Sequence, residues 1–137
     1  MRRDLRPDEL GDLLDEVLLA VLGTRTPDDQ VLLSPVWHEW RDGGFNVFTG
    51  HDDVKVRHIR RDARVSIVVC EHVPPYRGME VRARARIVSN GDTEVMRRIA
   101  ARYIGDAEAE AWANPDEVVI RIEPGVLRAW DFADDYP

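Results

Sequence analysis

The sequence contains little of what several common classes of protein require. Its one cysteine, Cys70, excludes an internal disulfide and is expected to be a small buried apolar residue. No apolar run approaches the roughly 20 residues that span a bilayer, and no apolar segment typical of a secretion signal follows the N-terminus. We therefore expect one soluble domain over residues 1–137, located in the cytoplasm and without a membrane partner.

Lysine is nearly absent as well. All of the 19 basic residues except Lys55 are arginine, and the formal net charge is −7. Binding of duplex nucleic acid needs a positive field over a broad surface, so we expect no nucleic-acid partner. A local basic pocket is compatible with this charge.

Sequence motifs of several enzyme classes are missing. There is no glycine-rich nucleotide-binding loop, no Gly-x-Ser-x-Gly and no His-Glu-x-x-His. The four histidines do not stand at ligand spacing from one another, so no metal site is expected. Rossmann enzymes, P-loop NTPases, α/β hydrolases and the common zinc enzymes therefore lose support.

Apolar periodicity and turn residues predict a mostly-β (α+β) chain. About six or seven strands with two or three short helices favour a closed or nearly closed antiparallel barrel, because closure removes exposed strand edges. Pro35 places its strand at an edge or an interruption of the ladder. The predicted helices cover about 7–15, a short stretch after Asp52 or Asp53, and 93–104; the predicted strands cover 17–22, 31–41, 45–49, 64–71, 79–88, 118–123 and 126–132, the last two as a hairpin.

The strongest chemical signal lies where the strand ending in Thr49 and Gly50 runs directly into a helix. This junction offers a hydroxyl, free backbone N–H groups and the positive end of a helix, which together suit an anion. Lys55 on the first turn, with Arg57 and Arg60 nearby, would add charge-assisted bonds to a phosphate or carboxylate. The alternative is an ordinary solvated helix face.

Several segments in this order resemble one known family. They are Ser34-Pro35-Val36-Trp37, Thr49-Gly50-His51-Asp52-Asp53-Val54-Lys55-Val56-Arg57, Arg61-Asp62-Ala63-Arg64-Val65-Ser66, and Pro74-Pro75-Tyr76-Arg77-Gly78 before a Val-x-Ala-x-Ala-x-Ile strand. Together they are similar to the pyridoxamine-5′-phosphate-oxidase-like split β-barrels, and more closely to the branch of F420-dependent or FMN-binding oxidoreductases. The resemblance covers nearly the whole chain.

The resemblance implies an FMN-binding type of split barrel, a homodimer, and a cofactor, F420 or FMN, held in a groove between subunits. It implies that Thr49 and Lys55 hold the phosphate and that backbone groups of one strand lie along the ring. Tyr76, Arg77 and Trp130 would line the groove, from the partner subunit. The implied cofactor-binding set is Pro35, Val36, Trp37, Thr49, Gly50, Val54, Lys55, Arg57, Arg60, Tyr76, Arg77 and Trp130.

One residue departs from the family pattern. Position 53 usually carries Ser or Thr in this branch, whereas here it is Asp53. Its carboxylate would either cap the helix and turn away from the phosphate, or repel the phosphate and weaken cofactor binding. The row formed by Arg82, Arg84 and Arg86 either meets the anionic tail of F420 or faces solvent, and solvent is the preferred interpretation.

The resemblance thus implies an oxidoreductase that transfers a hydride between bound F420 or FMN and a small organic substrate, with no catalytic side chain assigned. The chain is too short for a true pyridoxamine phosphate oxidase. A carrier or sensor domain that binds flavin or haem without turnover is the alternative. A third interpretation is a structural dimerisation domain that has lost its site.

Overall fold

The computed structural model describes residues 2–88 and 92–135. Within these ranges the chain forms ten strands, three α-helices and four 3-10 turns. The strands are β1 (Arg2–Arg3), β2 (Ala20–Arg25), β3 (Val31–Val36), β4 (Glu39–Arg41), β5 (Gly44–Gly50), β6 (Arg64–Cys70), β7 (Gly78–Arg84), β8 (Arg86–Val88), β9 (Glu117–Ile122) and β10 (Val126–Asp131). The helices are α1 (Val54–Arg61), α2 (Thr93–Ile104) and α3 (Asp106–Ala109).

The strands form two antiparallel sheets that share one core. The larger has the order β1-β10-β7-β6-β2-β3 and the smaller has the order β4-β5-β9-β8. The main core lies between the sheets and takes in fully buried side chains of both, such as Leu22 and Phe45. The predicted mostly-β split barrel is confirmed.

Two strands predicted as single pieces are each divided between the sheets. The 31–41 strand breaks at Trp37 and His38, where the His38 N–H is donated to the Tyr103 hydroxyl instead of to a strand. The 79–88 strand breaks at Ala85, whose N–H is donated to Ala63 O at 2.8 Å. Pro35 lies on β3, an edge strand of the larger sheet, as expected for a residue without an N–H.

The predicted C-terminal hairpin is wrong. β9 pairs with β5 and β8 in the smaller sheet, whereas β10 pairs with β7 and β1 in the larger one. The Pro124-Gly125 turn carries the chain from one sheet to the other. A Cβ at position 125 would lie 2.8 Å from Arg82 O, so the close approach of this turn to β7 requires glycine.

The helix predicted over 7–15 is also wrong. Two 3-10 turns, Pro7–Glu9 and Leu13–Asp15, take its place, because Gly11 between them has φ +61°, in the left-handed region that ends a helix. The apolar spacing that suggested a helix arises because each turn buries a leucine, Leu10 or Leu13.

The other two predicted helices, α1 and α2, begin after the capping residues that the sequence indicates. Asp53 caps α1, and its side chain accepts a hydrogen bond from the Lys55 N–H. Asp92 caps α2 in the same way through Val95, and Gly105 ends it. The predicted Asn90-Gly91 strand end lies outside the described residues. Over the part of the chain that is described, no helix combines the length and the apolar character needed to cross a membrane.

Candidate functional site

A pocket of about 260 Å³ lies at the seam where the two sheets meet the start of α1. The end of β3 and the following residue form one side, and the end of β5 with the first turn of α1 forms another. Its lining residues are Pro35, Val36, Trp37, Phe48, Thr49, Lys55 and Trp112. Two sheets and a helix terminus therefore bring apolar, aromatic and cationic groups to one place.

An aromatic cluster forms one wall of this pocket. The Trp37 ring stacks on Tyr103, with centroids 5.1 Å apart and planes 5° from parallel. Trp112 meets the Trp37 ring at 5.0 Å, and 46% of Trp112 is exposed at the rim. A large exposed aromatic side chain beside a pocket is suited to covering a planar ligand.

Buried hydrogen bonds hold this wall in place. The Tyr103 hydroxyl donates to Leu18 O at 2.7 Å and accepts the His38 N–H at 3.1 Å. Burial, with a smaller contribution from the neighbouring Arg102 charge, lowers the pKa of His38 to about 4, so the imidazole is neutral near pH 7. The position of Trp37 is thus set by the residue after it and by α2.

Lys55 brings a positive charge to this pocket. Lys55 is the second residue of α1, and only 15% of its side chain is exposed. Its Nζ lies 3.1 Å from Asp53 Oδ1, the same oxygen that accepts the Lys55 backbone N–H at 2.9 Å. Among the described residues that line the pocket, the one positive side chain therefore already has an acidic neighbour.

Asp53 remains ionised in this environment. Burial works to raise the pKa of its carboxyl, but hydrogen bonds from the Lys55 backbone and side chain outweigh burial, and the pKa lies below its usual value. The Thr49 hydroxyl adds a further hydrogen bond to this carboxyl that lowers its pKa. The groups predicted to hold a phosphate thus surround a carboxylate of the chain itself.

Five of the twelve predicted site residues line this one pocket: Pro35, Val36, Trp37, Thr49 and Lys55. Sequence reasoning missed Phe48 and Trp112. Phe48 precedes Thr49 on β5, and strand alternation alone does not place its side chain beside the pocket. Trp112 offers a weak signal, a large aromatic residue in the otherwise small and polar segment 106–116.

Four predicted residues lie beside the pocket without lining it. Gly50 ends β5, and Val54 begins α1 with 38% of its surface exposed. Arg57 is exposed and reaches back to Asp52 O at 3.4 Å, and Arg60 is exposed on the next turn. In the single chain, Lys55 alone of the three predicted basic residues reaches the pocket, and contacts of Arg57 and Arg60 with a cofactor stay predictions.

The remaining three predicted residues form a separate group. Tyr76 lies in the loop before β7, and Trp130 on β10 covers Gly78, where a Cβ would collide with its indole. The Arg77 guanidinium is bonded to Asp12, Glu16 and Glu71. The family resemblance implies that these residues line the cofactor groove from the partner subunit, and a single chain does not test this prediction.

A larger cavity of about 510 Å³ lies elsewhere, on the outer face of the six-stranded sheet, and four arginines line it. Three of them already face acids of the chain: Arg25 with Asp29, Arg64 with Asp62, and Arg82 with Glu80. The predicted row Arg82, Arg84 and Arg86 is exposed and lies outside the Lys55 pocket. The aromatic wall and the helix terminus distinguish the smaller pocket as the candidate site.

The chain is similar to known proteins in sequence and in fold. The family model described as pyridoxamine 5′-phosphate oxidase matches residues 7–131. No curated protein matches the chain in sequence. Among solved structures, the conserved hypothetical protein Rv2991 from Mycobacterium tuberculosis is 25% identical, with a TM-score of 0.80 over 97% of this chain and 89% of that one.

Two further solved structures are similar. One is described as an F420 reductase; it is 25% identical, with a TM-score of 0.74 over 85% of this chain and 93% of that chain. A FAD-binding protein from Mesorhizobium loti is 20% identical, with a TM-score of 0.67 over 94% of this chain and 97% of that chain, and it shows the fold alone.

Proposed function

The chain belongs to the pyridoxamine 5′-phosphate oxidase family, and on that premise we propose that it is an oxidoreductase that binds F420 or FMN. The proposed reaction is hydride transfer between this cofactor and a small organic substrate. The similar structure described as an F420 reductase supports the assignment. The protein is proposed to act in the cytoplasm, without nucleic-acid or membrane partners.

The pocket at the sheet seam is the observation that carries this proposal. It combines an aromatic wall, backbone of an edge strand and one half-buried lysine at the start of a helix. A flavin-type cofactor presents the matching groups, which are a planar ring and a phosphate. The donor chemistry of the pocket therefore fits the group, apart from the Asp53 carboxylate beside Lys55.

Each side chain has a defined role in this proposal. Lys55 and the Thr49 hydroxyl bind the phosphate, and the backbone at Pro35, Val36 and Trp37 orients the ring. Trp112 covers the open side and excludes water. The bound cofactor supplies the hydride chemistry, so the protein needs to provide binding, orientation and electrostatics only.

Titration of the purified protein with FMN and with F420, followed by fluorescence and absorption, tests the proposal. Saturable binding of one cofactor in the micromolar range is the expected result. Reduction of the bound cofactor, and its reoxidation by candidate electron acceptors, then tests turnover. Failure to bind either cofactor would remove the oxidoreductase assignment.

A flavin carrier or sensor without turnover is the second candidate. The observation in its favour is that Lys55 is the one titratable side chain among the described residues that line the pocket. General acid–base catalysis by the chain itself would need another group there. Tight cofactor binding without steady-state turnover of any acceptor would favour the carrier over the enzyme.

We further propose that the protein is a homodimer formed through the outer face of the six-stranded sheet. Val31 and Leu33 on β3 are 52% and 66% exposed, and Pro35 of the pocket follows them on the same face. The pocket volume, about 260 Å³, is below the roughly 300 Å³ at which ligand pockets begin. A second subunit would cover the apolar face and complete the groove.

Leu33→Glu tests this dimer. A buried carboxylate at the subunit interface carries a large desolvation cost, so the variant is expected to be monomeric by light scattering when the wild type is dimeric. Val73→Glu, at a residue 65% exposed in the loop before β7, is the control. A dimeric Leu33→Glu variant would place the interface elsewhere.

A further inference from the structure

The most unusual feature of the candidate site is the anion it already contains. Asp53 Oδ1 lies 3.1 Å from Lys55 Nζ and 2.9 Å from the Lys55 backbone nitrogen. The side chain of Asp53 is 31% exposed, and that of Lys55 is 15% exposed, so water screens the pair only in part. One carboxylate thus uses both the ammonium group and an N–H at the start of α1.

A phosphate would need the same donors. Carboxylate and phosphate oxygens both accept charge-assisted hydrogen bonds from ammonium groups and from the backbone N–H groups of a helix N-terminus. Two anions held within about 4 Å of each other repel, and this repulsion grows where water is excluded. Binding of a phosphate beside Lys55 therefore conflicts with Asp53 in its present position.

We propose that Asp53 is a specificity-determining residue, whose carboxylate occupies the anion position of the free protein and competes with the cofactor phosphate for Lys55. This inference rests on the proposed function, since it concerns the same pocket. Its consequence is weak discrimination between a phosphorylated flavin and its phosphate-free form. Lys55 gains little from the phosphate because it exchanges one anion for another.

The opposite role makes the opposite prediction. If Asp53 positions Lys55 for the phosphate, removal of its charge would weaken binding. Asp53→Asn separates the two roles because asparagine still accepts the Lys55 backbone N–H and is an equally good N-cap. Asp53→Ser is a second variant that also retains a cap. Asp52→Asn removes one negative charge from the adjacent exposed residue and is the matched control.

The first experiment compares the affinities of FMN and of riboflavin, which lacks the phosphate, for these proteins. Asp53→Asn and Asp53→Ser are expected to bind FMN at least about tenfold more tightly than the wild type, with riboflavin affinity unchanged. Asp52→Asn is expected to change neither affinity more than about twofold. Unchanged or weaker FMN binding by both Asp53 variants would overturn the proposal.

A second experiment uses inorganic phosphate and does not depend on a flavin. Lys55 is the only lysine of the chain, so lysine-labelled protein gives a single side-chain NMR signal at the site. Phosphate is expected to shift this signal at a concentration at least about tenfold lower in Asp53→Asn than in the wild type. Equal concentrations, or no shift in either protein, would overturn the proposal.

The two experiments separate this inference from the proposed function. If phosphate shifts the Lys55 signal more readily in Asp53→Asn while no protein binds FMN or F420, the competition stands and the oxidoreductase assignment falls. If the wild type binds FMN or F420 and Asp53→Asn gains nothing in either experiment, the assignment stands and the competition falls.

Discussion

Lys55 and Arg77 are both basic side chains that sequence reasoning assigned to the cofactor, and the structure surrounds them very differently. The Arg77 guanidinium uses each of its five N–H groups: Nε with Glu71, one terminal nitrogen with Leu10 O and Asp12, and the other with Glu16 and Glu71. Lys55 Nζ has three N–H groups and, among the described residues, one acidic partner, Asp53, and it faces a pocket.

This difference shows that residue type alone does not make a binding group. Arg77 ties the N-terminal segment, through Leu10 and Asp12, to the loop before β7. The hydrogen bonds that Arg77 donates to the Glu71 carboxylate raise the pKa of Arg77 above its ordinary value. Donors that are saturated inside the chain stabilise the fold, whereas donors that point into a pocket are available to a ligand.

The largest expected effect is the loss of stability in Arg77→Ala. Removal of the guanidinium leaves Glu16 and Glu71 close together and without their shared cation, so unfolding free energy should fall by about 3 kcal/mol. Urea denaturation measures it. Arg97→Ala is the control, because Arg97 and Glu110 form a more exposed pair whose loss should cost much less stability.

An effect on stability no larger than that of Arg97→Ala would show that Arg77 stabilises the fold no more than an exposed ion pair does. That result would instead support the prediction that Arg77 contacts the cofactor from the partner subunit.

The ion pairs of Arg77 with Glu16 and Glu71 should make the free energy of unfolding depend on pH in the acid range. The hydrogen bond from Arg77 lowers the pKa of Glu71 from 4.5 to about 2. A carboxyl whose pKa is lower in the folded state stabilises the fold above pH 4.5, and this stabilisation is lost as pH falls from 4.5 towards 2. Glu16 opposes the trend, since burial and the Glu71 charge raise its pKa.

Urea denaturation at several pH values between about 5 and 2.5, which covers most of the interval between the ordinary pKa of Glu71 and its pKa in the folded chain, checks this trend. Glu71→Gln should lose less stability over this range than the wild type, because it has no charge to lose. Parallel curves for the two proteins would show that Glu71 is not held ionised by Arg77.

Trp112→Ala should weaken flavin binding without destabilising the fold. The side chain is 46% exposed, so its removal should change unfolding free energy little, whereas loss of a stacking surface should weaken flavin binding by about 1 kcal/mol. Fluorescence titration with FMN measures the affinity. Trp112→Phe keeps an aromatic ring and should retain most of it; equal affinities for all three proteins would remove Trp112 from the site.

The smallest effect is expected for Arg60→Ala. Arg60 is exposed on α1 and does not line the pocket, so FMN affinity should change less than about twofold at physiological salt. A loss as large as that from a change at Lys55 would show that Arg60 reaches the phosphate when the cofactor binds, as the family resemblance implies.

Much of the fold could be predicted because local rules act within each element. Alternation placed Met79 and Val81 in the core, and cap residues fixed the start of α1 and both ends of α2. Sheet membership could not be predicted, because it depends on partners distant in sequence. The Pro124-Gly125 turn has the composition of a hairpin, yet its two strands belong to different sheets.

The site was predictable to a similar extent. The strand-to-helix junction and the family resemblance led to Thr49 and Lys55, because their spacing is local. Trp112 lies far from them in sequence and reaches the pocket only through the packing of α2 and α3. Asp53 was recognised as a departure from the family pattern, but only the structure shows that it bonds to Lys55.

The central claim is that Lys55 binds the phosphate of a flavin-type cofactor. Its most direct test compares FMN with riboflavin on the wild type and on Lys55→Met, which keeps the length of the side chain without its charge. Arg41→Ala, at an exposed residue of β4, controls for net charge. The account predicts that Lys55→Met loses FMN affinity and none of its riboflavin affinity: about 1 kcal/mol where Asp53 competes with the phosphate, and up to about 3 kcal/mol in the Asp53→Asn background, where it does not. Equal losses for both ligands, or no loss for FMN, would contradict it.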